Sequence, residues 1–587
     1  MSKAGAHQFS LVQALLLLLG TSSAWAQTVP PVQPPPPPPP GSTIPSVRPD
    51  PANLAPKPAP TTTDAGNLPR APSAPPPREL GKPDEDITLD VKAYSVAPDA
   101  PDALRQALPA LTAAYVGPGR HYEDLANAAA EVTRFLQRDL GYYLGYAYLP
   151  EQDSADGTVR IAVLEGRLDK IVLNWSDDIP VRKDIVEGYL ARLKPGSILQ
   201  VRDVERVVFL LNDLRGMTAK FEVQAGSIPG TASLVVTPTA EKRWSGKADV
   251  DVNGSRFLGV ERLGGLVSYN SPLGRGDALT LNALTSANSG LRFLLAGYTL
   301  PLGTDGWKVG GSVSFVDYKL SGDQFSQGIS VHGNASNLTA YVLYPAIRSR
   351  NLNLFTLGAV EIKHYKDTEV GNTTDKKVNS LTLGVTGDFR DNLLRGGVST
   401  YDLSLAMGQV DYVSVRPAAL DEPKTYRKLG FAFNRLQSVV EGRLLGYVAL
   451  RGQYAFDNLD TSEQFRLGGP DGLRAYAVGE GTGDTGAMVS LELRLLPPEA
   501  WFGHISREMA LSVFYDAGSI RYRHDAKSQG SAFDNRATYT DAGIGVAWVR
   551  PGEYALRVSL ASPLSGNPKS DKQVRNPRLY AQFTKFF

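Results

Sequence analysis

Cysteine and histidine, two residue types common in catalytic and metal sites, are absent or few in this chain, and no catalytic motif is present. Cysteine is absent from the 587 residues, which excludes a disulfide scaffold, a thiolate metal site and a cysteine nucleophile. The six histidines show no metal-ligand spacing, and no His-Glu-x-x-His, Gly-x-Ser-x-Gly or phosphate-binding glycine-rich motif occurs. We therefore expect no enzymatic activity, no metal and no cofactor.

One carboxylate lies where a strand would orient it inward. Every second residue of the segment 511–518 is apolar, and the intervening residues are Ser512, Phe514, Asp516 and Gly518. Successive side chains of a strand point to opposite faces, so Asp516 faces away from the apolar side. A carboxylate turned inward needs water, hydrogen-bond donors or a cation, and a guanidinium supplies two parallel hydrogen bonds. A solvated Asp516 is the alternative.

Charge and hydropathy exclude two classes of protein. The 61 Lys and Arg residues nearly balance the 60 Asp and Glu residues, and nothing resembles the basic stripe that nucleic-acid binding requires. Beyond residue 19 no apolar run approaches the ~18 residues of a membrane-spanning helix. A membrane β-barrel is compatible with this composition, because its strands alternate and keep average hydropathy low.

The N-terminal region predicts export followed by a tether. Residues 1–26 combine a weakly basic start, an apolar run and the small residues Ala24 and Ala26, which predicts a cleaved signal peptide. Residues 27–85 are rich in proline, since 20 of the 42 prolines lie between 28 and 80. This composition predicts a disordered, partly polyproline II tether, with a docking site for a proline-binding domain as the alternative.

Two small α+β modules follow, at residues 86–167 and 168–242. Each has the predicted order strand, helix, helix, strand, strand, and helical spacing of apolar residues predicts the helices. The expected helices lie near 102–115, 122–140, 181–193 and 201–215.

From residue 243 to 587 the pattern changes to sixteen alternating segments of about ten residues each. The predicted connections after odd-numbered segments are long, namely 321–333, 365–377, 410–424, 457–484, 521–537 and 565–577. Those after even-numbered segments are short, such as 303–306 and 345–350, with 497–507 as an exception. This asymmetry is typical of a membrane barrel, which has short turns at one end and long loops at the other. We expect an antiparallel transmembrane β-barrel of sixteen strands.

Three stretches together resemble one family. Residues 145–168 resemble the end of the first POTRA domain of two-partner-secretion transporters, the hemolysin secretion/activation proteins of the Omp85 superfamily. Residues 269–281 resemble their second barrel hairpin, and residues 453–486 resemble their long sixth outer loop. The modules at 86–167 and 168–242 are accordingly expected to be periplasmic POTRA domains 1 and 2.

The resemblance also implies a set of site residues. Leu473-Arg474-Ala475-Tyr476 is similar to the family's Val-Arg-Gly-Tyr, and Phe514-Tyr515-Asp516-Ala517-Gly518 matches its Phe-x-Asp-x-Gly. In the family the loop enters the barrel and its arginine pairs with this aspartate. The resemblance thus implies a pore-loop lock of Arg474, Tyr476, Phe514, Asp516 and Gly518. Ala475 stands where the family has a glycine. If the position required positive φ, the alanine backbone would be strained.

The function implied by the resemblance is protein export across the outer membrane of a Gram-negative bacterium. The partner would be one large β-helical exoprotein, hemolysin- or adhesin-like, captured unfolded through its N-terminal secretion domain by the POTRA domains and passed through the barrel. Outer-membrane lipid would be the other partner, and neither nucleotide nor nucleic acid is expected. The alternative is an Omp85-type assembly factor that inserts other barrels. A diffusion porin would not need the two modules.

Overall fold

A computed structural model describes residues 79–82, 88–154, 156–320, 331–369, 372–414, 424–527, 534–566, 568 and 576–587. The predicted signal peptide, with Ala24 and Ala26, and most of the proline-rich segment lie outside these residues. Within them, no helix combines the length and apolarity needed to cross a bilayer.

The first module is assembled from short strands around two helices. Its elements are β1 Leu89–Val91, β2 Ala93–Ser95, α1 Asp102–Thr112, β3 Gly117–Arg120, α2 Tyr122–Arg138, β4 Tyr146–Tyr148, β5 Thr158–Arg160 and β6 Ala162–Leu164. Helix α2 begins where the Asp124 carboxylate accepts the His121 backbone N–H at 3.1 Å. Its apolar stripe, which includes Val132 and Leu136, is buried in the module core.

The first strand of this module differs from the prediction. The predicted order has a single strand before the first helix, but two short strands lie there: β1 pairs antiparallel with β3, whereas β2 pairs parallel with β5. The start also differs, since the Leu80 backbone N–H donates to the Leu149 carbonyl at 2.8 Å. Residues 79–82, which composition assigned to the proline-rich segment, therefore contact the first module.

The second module has a three-stranded sheet covered on one face by two helices. Its elements are β7 Arg167–Leu173, α3 Lys183–Leu190, α4 Val201–Asn212, β8 Met217–Ala225 and β9 Thr231–Ala240. The strand order is β7-β9-β8, with β7 parallel and β8 antiparallel to β9. Gly230 has a φ of +81° in the β8–β9 turn, a conformation that favours glycine. Val204, Val207 and Leu211 of α4 are buried against the sheet.

Sixteen antiparallel strands form a closed barrel, which confirms the predicted fold class. The first and last strands, β10 and β27, close it through five residue pairs from Lys247–Phe586 to Asp251–Gln582. The barrel strands are β10 Trp244–Asp251, β11 Arg262–Asn270, β12 Ala278–Ser286, β13 Leu291–Leu302, β14 Trp307–Lys319, β15 Val331–Arg348, β16 Leu352–Glu369, β17 Asn372–Asp391, β18 Gly397–Ser414, β19 Thr425–Val440, β20 Leu444–Ala455, β23 Thr485–Leu495, β24 Met509–Arg521, β25 Arg536–Arg550, β26 Tyr554–Ser565 and β27 Arg578–Phe586, with the two-residue strands β21 Phe465–Arg466 and β22 Thr482–Gly483 between β20 and β23.

Four central strands are longer than predicted. Strands β15 to β18 have 18, 18, 20 and 18 residues. Strand covers most of the predicted connection 365–377 and residues 410–414 of the predicted connection 410–424. The β16–β17 ladder continues as far as the pair Glu369–Asn372. Lys, Asp, Thr and Asn dominate the extensions of β16 and β17, so the alternation of apolar and polar residues that identifies a lipid-facing strand is lost there.

The outer surface of the barrel is apolar in its middle and aromatic at the end where the turns are short. Large exposed apolar side chains of the outer face include Leu281, Phe315, Val360, Leu383 and Ile544. At the short-turn end Trp244 stacks on Tyr269 and Trp307 stacks on Tyr344, with centroid distances of 4.5 and 4.4 Å. Such a band with an aromatic girdle is the surface that a bilayer requires of a barrel.

The second module is joined to the short-turn end by a buried ion pair. The Arg348 Nε and Nη2 atoms donate to the Asp213 carboxylate at 3.1 and 2.8 Å, and the guanidinium lies 4.7 Å from the Phe209 ring centroid. Arg206 of α4 also donates to the Pro345 carbonyl at 3.0 Å. The module is thus fixed beneath the barrel, at the end opposite the long connection between β20 and β23.

Candidate functional site

The long connection between β20 and β23, residues 456–484, folds back against the inner wall of the barrel. Strands β21 and β22 pair antiparallel and form its neck. We call residues 467–481, beyond the neck, the tip, and residues 457–464, before it, the root. Leu467, Leu473 and Tyr476 of the tip are buried against β23, β24 and β25.

Arg474 is the most heavily hydrogen-bonded residue of the tip. Its Nε and Nη2 atoms donate to Asp516 Oδ2 and Oδ1, each at 2.8 Å, which is bidentate geometry. Its Nη1 donates to Glu492 Oε1 at 2.6 Å and its Nη2 also to Ser490 Oγ at 2.9 Å. The guanidinium lies 3.3 Å from the centroid of the Phe514 ring. The fully buried Asp516 carboxylate therefore has a dedicated cation.

Two acceptors in this arrangement were missed by sequence reasoning. Ser490 and Glu492 of β23 lie opposite Asp516 and Phe514 of β24 in the ladder, so their side chains share the inward face. Glu492 also accepts from Arg494 Nε at 2.7 Å, so two arginines balance two carboxylates. The sequence did contain a signal for them. Ser490, Glu492 and Arg494 alternate with leucines, so polar and charged side chains recur at every second residue and share the inward face.

Tyr476 fixes the other side of the tip. Its hydroxyl contacts the carbonyls of Thr540 on β25 and Ser565 on β26, and its own carbonyl accepts from Tyr580 Oη at 3.0 Å. Its ring meets Tyr539 edge to face, with 5.0 Å between centroids. The tip therefore contacts every strand from β23 to β27.

Ala475 is unstrained, because its backbone does not adopt the positive φ under which strain was expected. The residues of the tip with φ in the left-handed region are Gly469, Gly479 and Gly481, at +135°, +91° and +62°, and Ala475 is not among them. The Ala475 N–H donates to Asp541 Oδ2 at 3.1 Å, and its carbonyl accepts from Arg578 Nε at 3.2 Å.

Gly518 makes room for the tip. A Cβ atom at this position would lie 2.8 Å from Leu467 Cδ2 and 2.9 Å from Leu473 Cδ1, closer than carbon atoms pack. The predicted residues Arg474, Tyr476, Phe514, Asp516 and Gly518 are thus all brought together at one place on the wall.

A second cluster holds the root of the connection and was not predicted. Asp460 accepts from Lys376 at 2.8 Å, and Glu463 accepts from Lys363 at 2.9 Å and from Lys428 at 2.7 Å. These five side chains are at most about a tenth exposed. The lysines project inward from β16, β17 and β19, a part of the wall separate from the strands that hold the tip. Only knowledge of where the root lies would have linked residues so distant in sequence.

Comparison with known proteins agrees with this architecture. Residues 230–546, more than half of the chain, match the family model for the haemolysin secretion/activation protein ShlB/FhaC/HecB, and residues 99–166 match the ShlB-type POTRA domain. A Heme/hemopexin transporter protein HuxB of Haemophilus influenzae is 27% identical over 473 residues, covering 77% of this chain and 80% of the relative. An Outer membrane transporter CdiB of Dickeya dadantii is 26% identical over 430 residues, covering 71% and 73%.

Two solved structures share the fold. CdiB from Escherichia coli has a TM-score of 0.66 and 20% identity, covering 88% of this chain and 94% of that one. BamA from Haemophilus ducreyi lacking POTRA domains 1–3 has a TM-score of 0.51 and 17% identity, covering 85% and 100%. The chain is an outer-membrane protein with POTRA structure on the periplasmic side, and its relatives are two-partner secretion transporters. It belongs to the haemolysin secretion/activation protein family of ShlB, FhaC and HecB.

Proposed function

We propose that this outer-membrane translocator exports its exoprotein through the barrel lumen and that residues 456–484 form the gate. The observation that carries the proposal is the bidentate contact of Arg474 on the tip with the buried Asp516 on the wall. Breaking a buried pair of this kind costs about 3–5 kcal/mol in a dry site and less where water enters. The seated connection is therefore the resting state, and opening requires its contacts to be replaced.

Channel conductance tests the gate. Replacing the tip, residues 467–481, by a short Gly-Ser link keeps the β21–β22 neck but removes Arg474, and we expect a severalfold larger conductance in planar bilayers. The matched control shortens the connection 415–423, which leaves the tip intact, and conductance should stay at the native level. Equal conductance of the tip-deleted and native proteins would show that the tip does not obstruct the lumen.

We further propose that the second module captures the unfolded exoprotein by strand addition. The sheet order β7-β9-β8 makes β8 an edge strand, and edge strands offer backbone groups to an extended peptide. Asn212 of α4 already bonds both backbone groups of Ala219, at 2.8 and 3.2 Å. By the alternation of an antiparallel ladder, Phe221 and Val223 present their N–H and C=O groups on the same open edge.

This model of capture predicts where a proline would block binding. Val223→Pro removes one donor from the open edge, and we expect at least a tenfold weaker affinity of the full chain for the N-terminal segment of its exoprotein. Val223→Ala keeps the N–H and is the matched control. If the native protein shows no binding at tens of micromolar, or if the two variants bind alike, strand addition at β8 is wrong.

The cargo and the chemistry follow from the same proposal. We infer one large β-helical exoprotein of the hemolysin or adhesin type, entering through its N-terminal secretion domain, with outer-membrane lipid around the barrel. We also infer that the translocator catalyses no reaction and uses neither nucleotide nor nucleic acid. A gene for such an exoprotein beside the gene for this chain would support the assignment. Loss of that gene's product from the medium on deleting the translocator tests it.

A further inference from the structure

A second carboxyl group lies against the one that Arg474 binds. Asp541 on β25 is directly opposite Asp516 on β24 in the ladder, and both side chains are fully buried. Residues opposite each other in an antiparallel pair have Cβ atoms about 5 Å apart, so the two carboxyl groups lie side by side on the inner wall. Two carboxylates sharing one buried site repel, so one of them retains a proton.

The donors around the pair are distributed unequally. Both carboxylate oxygens of Asp516 accept hydrogen bonds from Arg474, and Asp516 Oδ1 also accepts from Ser490 Oγ at 2.6 Å. Asp541 Oδ2 accepts the Ala475 N–H, whereas Asp541 Oδ1 is buried and has no donor among the described residues. A buried oxygen without a hydrogen-bond donor destabilises the folded protein. A proton on Asp541 Oδ1 removes this cost, because the protonated oxygen becomes a donor.

Among the residues that the structure describes, no cation is positioned to neutralise Asp541. The charged and titratable groups around it are Asp516, Arg474 and Tyr476, together with Arg578 on β27. Arg474 is engaged by Asp516 and Glu492, and Arg578 donates to the Ala475 carbonyl. On β26 the residue opposite Asp541 is Pro563, which carries no charge.

We propose that Asp541 is a positioning residue that carries a proton, as a neutral carboxylic acid donating its O–H to Asp516 and accepting the Ala475 N–H. The proton stays between the two carboxyl groups while the tip is seated. Its loss to water leaves two carboxylates facing each other with one guanidinium, and this weakens the seat of the tip. If residues 456–484 form the gate, as proposed above, the gate therefore opens at alkaline pH.

Infrared spectroscopy of the full-length protein tests the protonation separately from the gate. The difference between native protein and Asp541→Asn at neutral pH should contain the carbonyl band of a protonated carboxylic acid, and this band should disappear in alkaline buffer. Its absence at neutral pH would overturn the assignment, whatever the channel does.

Conductance from about pH 6 to about pH 10 tests the consequence. Native protein should conduct severalfold more at the alkaline end, whereas Asp541→Asn should stay low throughout, since an amide can donate to Asp516 and accept from Ala475 without titrating. Asp541→Ala should conduct more at every pH. The matched control Asp249→Asn alters a buried wall carboxylate bonded to Gln582 and Thr584, and should behave as native. If the infrared band titrates while the conductance of the native protein stays constant, Asp541 carries the proton but the proposal that residues 456–484 form a pH-dependent gate is wrong.

Discussion

The tip and the root of the same connection are held by buried ion pairs of opposite polarity. At the tip the cation, Arg474, belongs to the connection and the carboxylates belong to the wall. At the root the carboxylates Asp460 and Glu463 belong to the connection and the wall supplies lysines. The ion-paired side chains are largely buried at both sites, yet the two sites differ in how strictly they fix the distance and orientation of the paired groups.

The difference lies in the shape of the cation. A guanidinium is planar and bonds a carboxylate through two parallel donors, so it fixes both distance and orientation, whereas an ammonium acts as a rotatable point charge. The tip also places Arg474 against Phe514, which a rotated group would lose. We infer that the tip sets the exact position of the gate, and that the root retains the connection within the lumen with wider tolerance.

The largest effect should come from changing the shape of the tip cation without changing its charge. Arg474→Lys loses the bidentate contact with Asp516 and the stacking on Phe514, so we expect export to fall about tenfold or more, nearly as far as with Arg474→Ala. Exported partner in the medium is measured against the amount of heat-modifiable barrel in the membrane. The control Arg550→Lys alters a partly exposed pair with Glu508 that does not involve the connection, and should export normally. Full export by Arg474→Lys would show that charge alone seats the tip.

A smaller effect is expected at the root. Glu463→Gln leaves Lys428 beside a neutral amide and leaves Lys363 paired only with Glu361, at 3.1 Å, so we expect a severalfold rise in conductance while export falls less than with Arg474→Lys. Glu553→Gln, at an exposed position, is the control. If Glu463→Gln abolished export as completely as Arg474→Lys, the two sites would not differ in tolerance.

The smallest effect tests packing rather than charge. Gly518→Ala brings a methyl group against Leu467 and Leu473, so we expect a modest rise in conductance with no loss of folded barrel. Adding Leu467→Ala should restore the native value by freeing space. Gly265→Ala is the control, because its Cβ would lie at an ordinary 3.5 Å from the Lys247 carbonyl. Failure of the second substitution to rescue would remove the steric account of Gly518.

The contrast between the two sites also shows how far sequence reasoning extends. Alternation over 511–518 was enough to predict that Asp516 points inward, and strand periodicity was enough to predict sixteen strands. The neighbours Glu492 and Asp541 required the register between β23, β24 and β25, which alternation within one strand does not determine. The lysines of the root required the position of a connection that has no periodicity. Long-range placement, rather than local structure, was the missing information.

A double-mutant cycle between Arg474 and Asp516 tests the central claim most directly. Export and conductance are measured for native protein, Arg474→Ala, Asp516→Ala and the double variant, with folded barrel as the reference. If the two side chains act as one pair that seats the tip, the double variant is no worse than the worse single variant, because coupled losses do not add. Losses that add independently in the double variant would contradict the pairing, even if each residue proved essential.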